Sequence, residues 1–392
     1  MIQFRPQLIN SPRELDVELT SNCNLRCNYC YFFNNPDVKY TDLPTETWLK
    51  FFEECGKAGV MRLTLQGGEP FYRLDLKKLI DGIVKNRMRF SILSNGGLIT
   101  NDIAAYITNT GRCDSIQISI DGGRAEIHDS ARGKSSFEQA VRGIQILQRH
   151  GIPVTVRCTI HHDNVNYLEE TAAFILEKLK LPSFSTNAVG YFGLCKSNGE
   201  DLLLTVKDRS KAMAILGKLD KRYPGRITAN AGPLADLKYW RNMEEAKTKK
   251  LPRFSNGGAL TGCGCHQEKL SVRSDGHYTV CNMIPNLILG EINKDKLLDI
   301  WKYHPILNKF RERHKIPLRT FDYCRDCDYA DYCTGNCPAT AFAMTGNPHQ
   351  PAPDSCYRLF LEQGGRLPIR TKEDCEKLSS RITVIMDHGI NK

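Results

Sequence analysis

Up to about residue 190 the chain alternates between short β-branched, apolar runs and longer stretches with apolar residues at helical spacing. The short runs are ELDVELT from Glu14, RLTLQ from Arg62, FSILS from Phe90, SIQISI from Ser115, VTVRCTI from Val154 and FSTNAV from Phe184. Most are apolar enough to be covered on both faces, as parallel strands are. The segments between them predict helices. TETWLKFFEECGKAG opens after Pro44 and stops at Gly59, SFEQAVRGIQILQRHG runs from a capping Ser136 to Gly151, and NYLEETAAFILEKLK keeps the same period. Strand starts at 14, 62, 90, 115, 154 and 184 are separated by about one βα unit. Six such units predict an α/β fold, a partial (β/α)6 TIM-like barrel. It falls short of the eight units that close a full barrel and is open on one side to a bulky substrate. Chemistry in such folds collects at the C-terminal ends of the strands.

Beyond the barrel pattern of residues 13–205, the chain from 206 to 256 is lysine-rich, helical in period and interrupted by Pro224-Gly225, which reads as a helical connector. From Gly257 to about 365 it becomes rich in glycine and cysteine, and 366–392 form a C-terminal tail. One stretch of the third region, KDKLLDIWKYHPILNKFRERH, is amphipathic and predicts a helix bent near Pro305. No apolar run approaches the ~20 residues of a membrane span, and the N-terminus lacks the apolar core of a secretory signal. The 16 cysteines therefore read as metal ligands of a cytoplasmic protein rather than as disulfides. The net charge of +10 is spread, with a cluster at Lys247, Lys249 and Lys250. It is a solvated basic surface or a site for an acidic partner such as a peptide. No aromatic-basic platform or helix-turn-helix pattern points to nucleic acid.

Candidate chemistry begins just after the first strand, in CNLRCNYC, where Cys23, Cys27 and Cys30 are spaced C-x3-C-x2-C. Three thiolates leave one iron of a four-iron cluster without a protein ligand and open to another molecule. Read alone, the triplet is equally a zinc knuckle or a scatter of core thiols, although zinc would want a fourth ligand and none lies nearby in sequence. Further motifs stand at successive strand ends. QGGEP, Gln66 to Pro70, has two glycines that let backbone approach a ligand closely, and SNG from Ser94 has small polar groups suited to ribose hydroxyls. SIDGG from Ser119 is followed by HDSARG, whose Arg132 can pair with a carboxylate.

With these motifs in this order, residues 13 to 200 resemble the radical S-adenosylmethionine (SAM) superfamily. The resemblance implies that Cys23, Cys27 and Cys30 hold a 4Fe–4S cluster whose open iron is chelated by SAM. It implies that Tyr29 packs near the adenine and that the Gln66–Pro70 motif lies at the cofactor. Within that motif Gly67, Gly68 and Glu69 would meet the methionyl amino group. Asn95, with Ser94, would lie near the ribose, and Ser119 and Arg132 near the carboxylate, with Arg124 as the alternative arginine. The implied chemistry is reductive cleavage of SAM to methionine and a 5′-deoxyadenosyl radical that takes a hydrogen atom from an unactivated C–H bond.

The C-terminal third adds Cys263, Cys265, a Gly276-x4-Cys281 element, the run Cys324-x2-Cys327-x5-Cys333-x3-Cys337, and Cys356. Eight thiolates suffice for two fully ligated four-iron clusters, with zinc as the other metal suited to such a set. The pattern is similar to the SPASM extension of radical SAM enzymes. That likeness implies an inner cluster on Cys263, Cys265, Cys281 and Cys337, an outer one on Cys324, Cys327, Cys333 and Cys356, and three clusters in all. The tight Cys263–Cys265 spacing leaves open that only one of the two ligates. Of the rest, Cys55, Cys113 and Cys158 read as packing residues, Cys195 as a packing residue or a cavity ligand, and Cys375 carries no signal.

The family resemblance implies an oxidoreductase acting on a peptide or protein. The leading expectation is a maturase that oxidatively modifies, by crosslinking, a ribosomally made peptide. Its alternatives are a sulfatase-maturating formylglycine-forming enzyme and a non-catalytic iron–sulfur electron carrier. Against the sulfatase branch, Asn282 follows Cys281 where an aspartate base is usual, and an amide accepts no proton at neutral pH. Because Cys23 comes so early, leader recognition is expected from a separate leader-binding protein, the SPASM surface or the basic connector. Electrons would come from a flavodoxin or ferredoxin. The catalytic acid and base are not legible in the sequence.

Overall fold

The computed structural model describes residues 8–35, 38, 40–198, 200–261, 263 and 265–368, without the side chains of Glu200 and Cys265. Cys375 and most of the expected tail lie outside the described residues. Six strands follow the βα rhythm: β1 Glu14–Thr20, β2 Arg62–Gly67, β3 Arg89–Ser94, β4 Cys113–Ser119, β5 Val154–Ile160 and β6 Phe184–Ala188. Four more complete the sheet: β7 Ile227–Ala229, β8 Lys269–Val272, β9 His277–Thr279 and β10 Ile288–Glu291. The order is β10-β9-β8-β1-β2-β3-β4-β5-β6-β7, parallel from β8 to β7 and antiparallel across β8, β9 and β10.

The sheet thus exceeds the six strands read from the pattern. β7 lies within the segment expected to be a helical connector, between helices Val206–Arg222 and Pro233–Thr248, and β8 comes from the cysteine-rich region. At three and four residues, ITA and KLSV are too short for periodicity to single out. The bend expected near Pro305 is present: helix Leu297–Tyr303 ends before a second helix that starts at Pro305. Ser136, expected to cap its helix, lies inside the first turn. There Asp129 accepts from Ser135 N (2.7 Å), Phe137 N (2.8 Å) and Ser136 Oγ (2.9 Å).

The pleat sorts each strand into two faces. Leu15, Val17 and Leu19 of β1 face the outer layer, where they share one core with Trp48, Phe51 and Phe52 of helix Thr45–Ala58. Cys55 and Cys158 are buried in that core and the half-buried Cys113 packs against it, whereas Cys195 is buried in helix Gly193–Asn198. The alternate positions face inward and are polar. At the N-terminal ends an ion-pair chain links Lys269, Glu14, Arg62, Asp114 and Arg89 across β8, β1, β2, β4 and β3. Half-exposed pairs of this kind add little stability each, but they fix which residues stand side by side.

Glu18, also inward on β1, is buried. Burial pushes its carboxyl from an ordinary 4.5 up to about 8, against the opposing pull of Arg273. Because the folded value is the higher one, this group's contribution is complete below about pH 4.5 and is lost as pH rises through about 8. Glu18→Gln is expected to flatten the decline in stability between about pH 5 and pH 8, by roughly 4 kcal/mol at most. Denaturant midpoints at both ends of that range test this, and an unchanged slope would contradict it.

Candidate functional site

The cysteine loop leaves β1 under tight control. Asp42 accepts from Thr20 Oγ1 (2.6 Å), Ser21 N (2.6 Å), Ser21 Oγ (2.9 Å) and Asn22 Nδ2 (3.0 Å). Burial raises its carboxyl, but these donors outweigh it and hold the group below its usual range. The end of β2 lies directly against this loop. Gly68 N donates to Thr20 O and Glu69 N to Asn22 O, both at 2.8 Å. A Cβ on Gly68 would stand 2.2 Å from Asn22 O, and Gly67 has φ +122°. The two glycines therefore allow the close approach of the cysteine loop. After β6, Leu194 N donates to Cys30 O at 2.8 Å, fixing the loop from the other side.

A buried carboxylate that sequence reasoning passed over joins the loop to β4. Asp121 accepts from Arg132 Nε (2.5 Å), from Thr159 N (2.8 Å) and from Tyr29 Oη. Burial opposes its charge, but Arg132 leads the groups that keep its pKa below the usual carboxylate range. Arg132 Nη1 lies 4.0 Å from Cys27 Sγ, and Asn28 N donates to Ala131 O at 2.9 Å. The guanidinium is thus committed to Asp121 and Cys27, whereas Arg124 pairs with Glu170 and Glu126 on the surface. The signal was present, because Asp121 is the aspartate of the quoted SIDGG run.

A cavity of ≈ 340 Å³ opens at these strand ends, lined in part by Cys23, Cys27, Cys30, Tyr29, Gln66, Gly67, Gly68, Ser94, Asn95, Ser119 and Arg132. Glu69 and Pro70 do not line it. Glu69 is fully buried behind the wall, accepting from Ser94 Oγ (2.9 Å) and Asn95 N (2.8 Å), and burial pushes its carboxyl up to about 7. Its side chain braces the end of β3. Asn95 Nδ2 points to Asn24 Oδ1 (2.9 Å) and lies 3.8 Å from Cys23 Sγ. Gln117, Arg157, Thr159 and Asn187 also line the cavity, and no sequence motif singled them out.

The three thiols fit an iron–sulfur cluster better than a single ion. Burial pushes Cys23 up to about 11 and Cys27 up to about 12, so thiolates here need a nearby source of positive charge, as a bound cluster provides. Donors already face the sulfurs, with Leu25 N 3.4 Å from Cys23 Sγ in addition to Asn95 and Arg132. Among the described residues no three His, Cys, Asp or Glu side chains gather tightly enough to hold one metal ion. A cluster asks for one thiolate per iron and tolerates that spread.

The later cysteines fall into two groups. Cys324, Cys327, Cys333 and Cys356 line one small cavity; after burial, Cys356 and Cys327 push the Cys324 thiol up, and Cys356, Cys324 and Cys327 push the Cys333 thiol up. Cys337 instead responds, after burial, to Cys281 and Cys263; the side chain of Cys265 lies outside the described residues. The segment expected to be a connector supports the first group. Trp240 stacks on Tyr357 (5.0 Å) and packs at a tilt against Phe360 (4.8 Å), while Tyr329 and Tyr357 both donate to Glu244 Oε1 at 2.6 Å. Of its clustered lysines, Lys247 is paired with Asp328 (2.7 Å) and Lys249 with Glu245 (2.6 Å), so little of that charge is left for an acidic partner. Asn282, next to Cys281, reaches the main cavity and donates through Nδ2 to Tyr31 Oη at 3.1 Å.

Residues 17–175 match the Radical SAM superfamily, and residues 263–328 match SPASM, an iron–sulfur cluster-binding domain. The AdoMet-dependent heme synthase of Methanosarcina barkeri (strain Fusaro / DSM 804) is 27% identical over 90% of this chain and 98% of its own length. The PqqA peptide cyclase of Ruegeria pomeroyi (strain ATCC 700808 / DSM 15171 / DSS-3) is 26% identical over 87% and 86%. Among solved structures, Streptococcus suis SuiB bound to precursor peptide SuiA has the same fold, with a TM-score of 0.68 and 15% identity over 89% of this chain and 77% of that one.

Proposed function

Because the chain belongs to the radical SAM superfamily and carries a SPASM domain, we propose that it oxidatively modifies a ribosomally made peptide, by crosslinking two of its side chains. The observation that carries this reading is the wall shared by the two cysteine regions: Asn282, adjacent to Cys281, bonds Tyr31, adjacent to Cys30, at the edge of one cavity. In this reading Cys23, Cys27 and Cys30 hold a 4Fe–4S cluster with SAM on its open iron. The cluster and SAM together supply a carbon radical able to take a hydrogen atom from an unactivated C–H bond. The remaining work falls to the chain. Asp42 and Asp121 fix the cysteine loop, and Gln66, Ser119 and Asn95 present polar groups to the cofactor. Clusters held by the SPASM cysteines would carry away the electron that closes an oxidative crosslink. Reductant would come from a flavodoxin or ferredoxin, and a separate protein would present the leader.

The peptide cyclase relative and the SuiB fold support a peptide substrate. Asn282 counts against sulfatase maturation, since its amide offers no base at the position after Cys281. A tetrapyrrole substrate is the second reading, favoured by the likeness to a heme synthase over nearly its whole length. Co-expression with the small peptides encoded beside its gene, followed by mass spectrometry, tests the proposal. Loss of two hydrogen atoms per linkage is expected, with 5′-deoxyadenosine formed in step. Unmodified peptides together with turnover of an added coproporphyrin would replace the first reading by the second.

A further inference from the structure

Buried charges are ordinarily paired, and buried arginine side chains at this end of the barrel obey that rule: Arg132 pairs with Asp121, Arg73 with Asp75 and Arg273 with Asp275. Arg157 does not. It stands on β5, level with Ser119 of β4 and Ser185 of β6, and lines the main cavity. Among the described residues its guanidinium has neither an ion-pair nor a hydrogen-bond partner, and its Nε is buried. Burial alone accounts for the downward push on its pKa, with no carboxylate acting on it. The groups beside it are neutral and polar. Thr159 and Asn187, one layer nearer the strand ends, also line the cavity, and the Asn187 Oδ1 is itself buried without a partner.

We propose that Arg157 is the receptor for a carboxylate group of the substrate. A guanidinium fork in a partly desolvated cavity matches a carboxylate in shape as well as charge. SAM brings a carboxylate too, but that group chelates the iron beside Cys23, Cys27 and Cys30. The arginine beside those thiols is Arg132, whose Nη1 lies 4.0 Å from Cys27 Sγ. Arg157 is thus left to the part of the cavity between β5 and β6. The inference rests on the proposed function in one respect, that the substrate occupies this cavity, and it holds for any substrate that carries a carboxylate.

The test uses benzoate and benzamide, an anion and its neutral counterpart, titrated calorimetrically into the cluster-reconstituted, SAM-loaded enzyme. The wild type is expected to prefer benzoate by about tenfold or more, the scale of one charge-assisted hydrogen bond. Arg157→Gln is expected to lose that preference, Arg157→Lys to keep part of it, and SAM affinity to stay within about threefold in both. A wild type without the preference, or an Arg157→Gln variant that keeps it, overturns the proposal. So does a fall of about tenfold in SAM affinity, which would assign the arginine to the carboxylate of SAM. If Arg157→Gln does not fold, Arg157→Lys decides on the same readings. Failure of the functional reading would show separately, as an enzyme that cannot cleave SAM under dithionite.

Discussion

Replacing Asp121 with alanine is expected to destabilise the protein by about 3–5 kcal/mol, the usual cost of stranding one partner of a buried ion pair. Asp121 is fully buried and Arg132 is 8% exposed, so solvent cannot take over the lost contact. The damage would not stop at the pair. Tyr29, the neighbour of Asn28 and Cys30 in the cysteine loop, loses its hydroxyl acceptor, and Arg132 is freed from its position 4.0 Å from Cys27 Sγ. SAM binding should therefore fall together with stability. Asp121→Asn keeps the shape but turns a donor toward Arg132 or Tyr29, so it should lie between alanine and the wild type. The double variant Asp121→Leu/Arg132→Leu separates the two effects. With no charge left unpaired it should recover much of the stability, yet its cysteine loop stays unanchored and its SAM affinity stays low. Denaturant unfolding and equilibrium SAM binding on the same samples measure both. An Asp121→Ala variant that unfolds within about 0.5 kcal/mol of the wild type would show that the carboxylate is not what joins β4 to the loop.

The sequence carried the barrel because its signal there is local and repeated. Six runs such as VTVRCTI are long enough to show strand character, and their spacing matches a βα unit. The short strands β7 and β8 were not legible, since three or four residues give no period and each owes its conformation to a neighbour already in the sheet. The site divides in the same way. Motif order pointed to the strand ends, and most of the residues it singled out do line one cavity. What spacing could not reveal was the direction of each side chain. Glu69 turns inward to Ser94 and Asn95, and Gly68 lies against Asn22 of the cysteine loop. Asp121 and Arg157 were missed for different reasons. Asp121 lay inside a motif from which only Ser119 was taken, whereas Arg157 sits in an ordinary strand run. Its significance comes from the carboxylate it lacks, which only three dimensions can show.

Replacing Cys23, Cys27 and Cys30 together by alanine is expected to abolish SAM cleavage completely while leaving the barrel folded. The three thiols belong to a loop whose anchors lie elsewhere, at Asp42, Gly68, Asp121 and the Leu194 N–Cys30 O bond. Their loss removes ligands without touching the apolar core around Trp48, Phe51 and Phe52. The later cysteines form separate groups, so clusters held there should survive. If the SPASM likeness holds and the wild type carries three four-iron clusters, the variant should keep about two thirds of the iron.

In the proposed function these three cysteines, and not the eight later ones, begin the chemistry. The decisive measurement is 5′-deoxyadenosine formation from SAM under dithionite, beside iron content, in the wild type and in the triple variant. Formation is expected in the wild type and none in the variant, with about one third of the iron gone. Undiminished formation in the triple variant would contradict that expectation.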